Sequence, residues 1–310
     1  MRSLFHSVPA LAIVLASSFA SAHTSDAGSR PHGWTWDPYI SVPVLVMALL
    51  YAFGILRIRQ RGTKISRVSV LCFSSGWLSL FLALDSPLHA ISEQLFWVHM
   101  TQHEILMLIA APLLIISRPA TAFLFALPEE WRLRIPKAGR ARVVAGAWLL
   151  ISAPVAAWML HAIALWAWHA PRLFDAALQS DWVHAAQHIS FFGTALLFWW
   201  ALFHRHAGRL GYGGAILYVF TTAVHTSVLG ALLTFAPKIW YAPYTQTTAA
   251  WGLTEIQDQQ IGGLIMWVPA GTLLTIVALV LVAKWMSHSQ QRWEYTRTAE
   301  LIRASQGTAQ

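Results

Sequence analysis

The sequence predicts an all-α, polytopic integral membrane protein, a bundle of seven transmembrane helices that follows a cleaved signal peptide. Three observations predict this class. Only 11% of the 310 residues are charged and 56% are hydrophobic, whereas about 25% of residues are charged in soluble proteins. Seven segments are apolar over the roughly 20 residues that a helix needs to cross a bilayer. Lys and Arg concentrate in the loops at one end of these segments.

The first residues have the pattern of a secretory signal. Arg2 precedes an apolar run at 8–19, and Ala20-Ser21-Ala22 forms an A-x-A cleavage site. We therefore predict a signal peptide over 1–22. Cleavage there would make His23 the first residue, and its role stays open. Three further regions are predicted: a leader at 23–38, the transmembrane domain at 39–284 and a cytoplasmic tail at 285–310.

The seven apolar segments are connected mostly by short loops. Pro112, Pro154 and Pro269 lie inside them, and proline in a helix predicts a kink. The longer loop 118–142 contains LPEEWRLRIP, which predicts an amphipathic helix on the membrane surface. The predicted spans are 39–57, 68–84, 95–117, 145–168, 183–203, 214–236 and 260–284.

The charge distribution orients the bundle. Loops 57–67 and 118–142 each carry at least five basic residues, whereas the opposite loops are mainly acidic. Since basic loops stay in the cytoplasm, the amino terminus is predicted outside and the carboxyl terminus inside. These loops also account for the net charge of +8. We therefore expect anionic lipid, and no nucleic acid, as a partner.

Two histidine pairs, His99/His103 and His184/His188, have a four-residue spacing at the outer ends of the third and fifth spans. Residues four apart share one face of a helix. His169 closes the fourth span at the same depth. His161, His225, Met266 and Asp258 are further candidates on the fourth, sixth and seventh spans. Several helices can thus direct imidazoles at one region, which is how metal sites are built in helix bundles.

Imidazole suits copper, zinc and iron. Cys72 is the single cysteine, so thiolate motifs for copper are absent, and no H-E-x-x-H motif predicts a hydrolytic zinc. We expect no enzymatic activity. A lone intramembrane histidine is more often an interhelical hydrogen-bonding residue than a ligand. Two pairs at matching depth favour a metal site instead.

Several segments carry a family resemblance that covers nearly the whole chain after the signal peptide. These segments are WTWDPY, SPLHAIS, HMTQHEILMLIAAPLLII, LWAWHAPRLFDAAL, HAAQHISFF, LTFAPKIWYAPY and DQQIGGLIMWVPAG. With them the chain resembles the CtaG family of bacterial cytochrome c oxidase assembly factors, the multi-span type tied to caa-type oxidases.

The resemblance implies a protein of the bacterial inner membrane that helps to mature haem–copper oxidases at the copper-insertion step. It implies copper as the cofactor and the copper-containing oxidase subunits as partners. The family's motifs match His99, His103, His169, His184, His188 and Asp258. Two alternatives stay open: a bis-histidine membrane protein that binds haem non-covalently, and a metal or proton transporter. Homo-oligomerisation also stays open.

Overall fold

The computed structural model describes residues 33–205 and 210–307. The predicted signal peptide and most of the predicted leader lie outside these residues. All regular elements of the described chain are helical. The longer ones are α1 (Pro38–Gln60), α2 (Arg67–Asp85), α3 (Pro87–Ser92), α4 (Phe96–Ser117), α5 (Ala120–Ala126), α6 (Glu129–Gly139), α7 (Arg142–Ile151), α8 (Pro154–Trp168), α9 (Pro171–Gln179), α10 (Asp181–His204), α11 (Gly211–Thr234) and α12 (Glu255–Gly307). Two short 3₁₀ helices, Ala242–Gln246 and Thr248–Trp251, lie between α11 and α12.

Six of these helices, α1, α2, α4, α10, α11 and α12, are long and apolar enough to cross a membrane. The pair α7 and α8 makes a seventh span if it is counted as one, with a bend of 64° between its halves. The break falls immediately before Pro154, whose ring nitrogen cannot donate to the preceding turn. The all-helical membrane class is therefore confirmed, and the kink predicted at Pro154 is present.

The last membrane-spanning helix continues into the predicted tail. Helix α12 continues through Pro269 and extends to Gly307. The predicted boundary at 284, between span and tail, therefore does not coincide with a break in the helix. From residue 283 to residue 298 the side chains are exposed. The apolar part of α12 and its polar extension therefore form one continuous helix.

The loop predicted at 118–142 contains two helices with different surroundings. Helix α6 is largely exposed, with Arg132 bonded to Glu129 at 3.1 Å, as expected for a surface helix. Helix α5 was not predicted, and it packs into the bundle against α1. A Cβ added at Gly54 would overlap the Ala122 carbonyl, so the two backbones are in direct contact. Arg57 donates to the carbonyls of 125–127 at 3.0–3.3 Å, which caps the end of α5.

Helix α4 lies at the centre of the bundle. In its most apolar window 61% of residues are buried, against 28% for α1. One end of α4 adjoins α3, α9 and the 235–254 connection, and we call this the histidine end. The other end adjoins the 61–66 connection, α5 and α6, and we call this the basic end. The bundle thus presents the start of α4 at one end and its last turn at the other.

Helix α4 contains a π-helical segment at Ile105–Ala110. The amide of Ala111 reaches back to the Leu106 carbonyl, one residue further than in an α-helix. The next residue, Pro112, has no amide proton to offer. The Met107 carbonyl consequently has no donor within the helix. The indole nitrogen of Trp199 on α10 donates to it instead, at 2.9 Å, which ties α4 to α10 at this level.

Candidate metal centre

The two histidine pairs meet at the histidine end of the bundle. On α4 the rings of His99 and His103 lie 4.3 Å apart between centroids, and on α10 the same distance separates His184 from His188. Between the helices, His103 lies 5.1 Å from His188, and His99 lies 5.3 Å from His184. The four-residue spacing therefore directs both pairs inward, toward each other, rather than toward lipid.

Three of these residues form the tightest group. One ring nitrogen from each of His99, His103 and His188 lies within 4.8 Å of the others. We call these residues the histidine trio. His99 and His103 are buried, at 0% and 2% exposure, whereas His188 is half-buried. No hydrogen bond of 3.5 Å or less reaches either nitrogen of His99 or His103, or Nε2 of His188, although the Gln187 side chain and the Ser92 backbone lie near His99. Buried imidazoles normally have a partner, so these nitrogens are available to an ion.

His184 stands beside the trio. Its ring stacks on His99 with an interplanar angle of 21°, and its Nε2 has no partner. It is not one of the three residues whose nitrogens meet within 4.8 Å. Like His188, His184 is half-buried, so the cluster approaches the protein surface on the α10 side.

The sequence did not single out His89, which the short helix α3 brings against the pairs. Its ring stacks on His184 with centroids 5.7 Å apart. Helix α3 begins with Pro87 and is capped by Ser86, whose hydroxyl accepts from the Leu88 amide. A lone histidine outside the spans offers no spacing signal, so this contact depends on how α3 folds back over α4.

Hydrogen bonding fixes the protonation of His89. The Gln102 amide nitrogen donates to the Ala83 carbonyl at 2.7 Å and lies 2.9 Å from His89 Nδ1. Because a carbonyl only accepts, the atom facing Ala83 is the NH₂ group, and its second proton meets Nδ1. Burial lowers the pKa of His89, against the raising effect of Asp37, Asp85 and Asp181. A neutral His89 therefore holds its proton on Nε2 and is a donor, not a ligand.

His169 has the opposite tautomer. Its Nδ1 lies 2.7 Å from the Leu165 carbonyl, so Nδ1 donates and Nε2 keeps its lone pair. Burial lowers the pKa of His169 to about 4, and Nε2 has no partner. The ring packs on Phe174 and Phe191, which also contact His99 and His103 respectively. His169 is thus set up as a ligand but lies one ring behind the trio.

Asp258 stabilises the start of α4 but is not one of the residues whose ligand atoms meet in the trio. Its carboxylate accepts from the amides of Phe96 and Trp97, both at 2.9 Å, and from the Thr248 hydroxyl at 3.2 Å. The two amides are the first of α4 and have no partner inside the helix. A negative charge at this helix start is also favourable. Asp258 therefore fixes the first turn of α4, from which His99 and His103 project.

Three of the predicted candidates lie deeper than the trio. His161 and Met266 line a small cavity together with Glu104, which directly follows His103, and Met107, about one turn further along α4. His225 packs against Trp158, with centroids 5.5 Å apart, and neither of its nitrogens has a partner. The structure therefore divides the candidates into the cluster at the histidine end and a second group toward the middle of the bundle.

Aromatic side chains of the 235–254 connection cover the cluster. The Tyr241 hydroxyl donates to the His169 carbonyl at 3.0 Å, and the Tyr244 hydroxyl donates to the Ser92 carbonyl at 3.1 Å. Both rings pack with Phe96 and Phe174. Burial raises the pKa of Tyr244 well above its usual value. These tyrosines are therefore neutral donors that fasten the loop over the histidines.

Most of the bundle matches a known protein family. The family model described as cytochrome c oxidase caa3 assembly factor (Caa3_CtaG) matches residues 49–288. The chain belongs to this family. The matched range includes every histidine of the cluster, the cavity residues and Asp258. The resemblance to CtaG drawn from the sequence is thereby confirmed.

The similar proteins found for this CtaG-family chain come from mycobacteria. An uncharacterized protein of Mycobacterium bovis and one of Mycobacterium tuberculosis are each 28% identical over 262 residues, and one of Mycobacterium leprae is 26% identical over 265. Each match covers 81% of this chain but only 39% of the relative. The chain therefore spans about two fifths of the length of these relatives. No solved structure matches it.

Proposed function

We propose that this protein assists the assembly of a haem–copper cytochrome c oxidase by binding one copper ion at the histidine trio. Family membership supports the assembly role. The copper proposal is carried by one observation: nitrogens from three histidines on two helices lie within 4.8 Å of one another, and those of His99 and His103 make no hydrogen bond of 3.5 Å or less. The proposed role is assembly rather than catalysis, in line with the description of the family.

The three nitrogens would have to move closer together to bind an ion. Metal–nitrogen bonds of about 2.0–2.1 Å in a tetrahedral site put nitrogens roughly 3.3 Å apart, whereas the nitrogens of the trio lie within 4.8 Å of one another. The lone pair of His169 Nε2, or His184, would supply a fourth ligand. The donor set is entirely nitrogen, which copper accepts in both of its common oxidation states.

A bare ion explains the trio better than haem does. Haem iron takes two axial imidazoles on opposite faces of a wide flat ring. Here His99 and His103 come from one helix and pack edge to face. Phe174 and Phe191 fill the space behind them. A bis-histidine haem site uses only two imidazoles, so the third histidine of the trio would have no ligand role there.

Copper binding is tested on the purified protein in detergent. Cu(I) supplied from a competing chelator should bind, and His99→Asn/His103→Asn should bind one ion fewer per chain. His204→Asn is the matched control, because His204 also lacks partners and lies on α10, stacked on Trp200 at the basic end. An unchanged stoichiometry in the double variant would refute the copper proposal. A Soret band that the double variant loses would replace it with haem.

We further propose that the histidine end faces outside and the basic end faces the cytoplasm, with the oxidase's copper-containing subunits as the clients. The orientation is supported by the excess of Lys and Arg at 57–67 and 118–142. The choice of clients is supported by the description of the family. Single-cysteine variants in a Cys72→Ser background test it. A cysteine at Gln246 should react with an impermeant thiol reagent from outside, and one at Lys64 only from inside. The reverse pattern would invert the proposed orientation.

A further inference from the structure

A second group of donor side chains surrounds a small cavity below the trio. The cavity has a volume of about 30 Å³. That is enough for an ion or for a few water molecules, since one water occupies at least about 10–15 Å³ by this measure. Most of the wall is apolar. The exceptions with metal-binding side chains are Glu104 and Met107 on α4, His161 on α8 and Met266 on α12.

Two of the donors are prepared for a ligand. Oε2 of Glu104 is buried and has no hydrogen-bond partner. A carboxyl group inside a membrane-spanning helix is costly unless something meets it. The Thr194 hydroxyl donates to the Ser190 carbonyl at 2.7 Å, so its oxygen accepts from His161 Nδ1 at 3.0 Å. His161 therefore carries its proton on Nδ1, and its Nε2 keeps a lone pair.

The helix irregularity of α4 is at the level of this cavity. Glu104 and Met107 flank the start of the π-helical segment, and Trp199, which bonds the Met107 carbonyl, also lines the cavity. A π segment interrupts the regular stacking of side chains and is often found at functional sites. The wall is therefore held in an unusual backbone geometry by a specific bond from α10.

We infer that this cavity is a second metal site, selective for a soft monovalent cation of the Cu(I) class. Thioethers select Cu(I), and imidazole also suits it, whereas Zn(II) and Cu(II) favour harder donors than methionine. Met107 and Met266 provide two thioethers, His161 an imidazole nitrogen and Glu104 a carboxyl oxygen. No Lys or Arg is among the residues that line the cavity.

The position of the cavity relates it to the trio. His99 and His103 lie one turn apart on one face of α4, and Met107 follows four residues later inside the π-helical segment. The donors therefore change from imidazole to thioether along α4. An ion that enters at the half-buried His188 therefore meets nitrogen ligands first and sulfur ligands one turn deeper. The identity of the metal rests on the proposed function, whereas the donor set of the cavity does not.

The test is X-ray absorption and stoichiometry of the purified full chain loaded with Cu(I). The wild-type protein should bind two ions and show a copper–sulfur shell. Met107→Leu/Met266→Leu should bind one ion fewer and lose that shell, because leucine conserves volume but offers no donor. Met47→Leu/Met100→Leu is the matched control, since both side chains are buried and neither lines the cavity. It should keep two ions and the sulfur shell.

The two sites fail separately. The variant His99→Asn/His103→Asn should retain one ion and the copper–sulfur shell. If it loses no ion, the trio proposal fails while the cavity site stands. If the wild-type protein shows no copper–sulfur shell, or if Met107→Leu/Met266→Leu keeps it, the cavity site is refuted whatever the trio does. A cavity that takes Zn(II) as tightly as Cu(I) would overturn the stated selectivity.

Discussion

The two ends of the bundle differ in how their polar groups are hydrogen-bonded. At the basic end, Arg57 donates to three carbonyls that close α5, and Gly54 packs directly on the Ala122 backbone. At the histidine end, imidazoles from α4 and α10 converge with nitrogens that meet no partner. Unsatisfied buried groups are expensive and are retained where they serve a function. The basic end is therefore closed by packing and backbone hydrogen bonds, and the histidine end is the one for which we propose metal binding.

His204 refines this comparison. It lies at the basic end, stacks on Trp200 and has two unpartnered nitrogens, as His99 does. No second histidine faces it among the ring contacts of the described residues. A missing partner is thus not enough to make a site. The distinguishing property of the histidine end is that nitrogens from two helices come within 4.8 Å.

The largest expected effect comes from removing two ligands at the histidine end. Cells that carry His99→Asn/His103→Asn should contain normal amounts of the protein but almost no active copper-dependent oxidase. Interhelical hydrogen bonds in membranes average only about 0.6 kcal/mol, so the fold should survive. Excess copper should partly restore activity. The measurement is oxidase activity against protein abundance in the same membranes.

His204→Asn is the comparison for this variant and should leave both quantities unchanged. A parallel loss of activity and abundance in the double variant would mean that the histidines are structural, and the distinction between the two ends would then disappear.

At the basic end the corresponding variant is Gly54→Ala. The new Cβ overlaps the Ala122 carbonyl, so α1 and α5 must separate. Overpacking of this kind costs roughly 1–3 kcal/mol. Thermal unfolding in detergent should show a lower Tm with unchanged copper stoichiometry. Gly146→Ala has open space around the added Cβ and should not lower Tm. If Gly54→Ala also lost copper, the packing of the basic end would affect binding at the histidine end, contrary to this prediction.

A smaller effect is expected from Asp258→Asn, which alters the support of the site rather than its ligands. The amides of Phe96 and Trp97 lose a charged acceptor that serves both. Hydrogen bonds to charged groups contribute about 1.5–3 kcal/mol each, and asparagine keeps one acceptor. We expect a loss of roughly 1–3 kcal/mol in stability and weaker copper binding with unchanged stoichiometry. Thermal unfolding measures the stability, and chelator competition measures the copper affinity. A copper affinity equal to that of the wild-type protein would show that the bonds from Asp258 to the start of α4 do not affect the site.

The smallest effect is expected from His89→Phe. Phenylalanine keeps the stacking against His184 but removes the acceptor for Gln102. Outer-shell partners of metal ligands typically change affinity by about 10–100-fold, and we expect the lower end of that range. Chelator competition should still find the wild-type number of ions. Loss of an ion would make His89 a ligand and would contradict its assigned tautomer.

The membrane class and much of the site were predictable because their signals are local. A span of about 20 apolar residues predicts a helix by itself, and a four-residue spacing places His99 with His103 and His184 with His188 on common faces. Helix α5 was missed because its run is too short to span, and its burial depends on Gly54 in a distant segment. The exposed extension of α12 was predicted only as a tail, since polar helices carry no apolar signal.

The sequence by itself determined the helical membrane class, the two ends of different charge and the residues able to bind a metal. These follow from hydropathy, charge and spacing, which act within one segment. Only the tertiary structure decided which candidates lie close together. His188 lies with His99 and His103, Asp258 caps the start of α4, and Met266 and His161 line a separate cavity. The reason is physical: a coordination sphere is a few ångströms wide, and distances of that size between different helices depend on how the whole bundle packs.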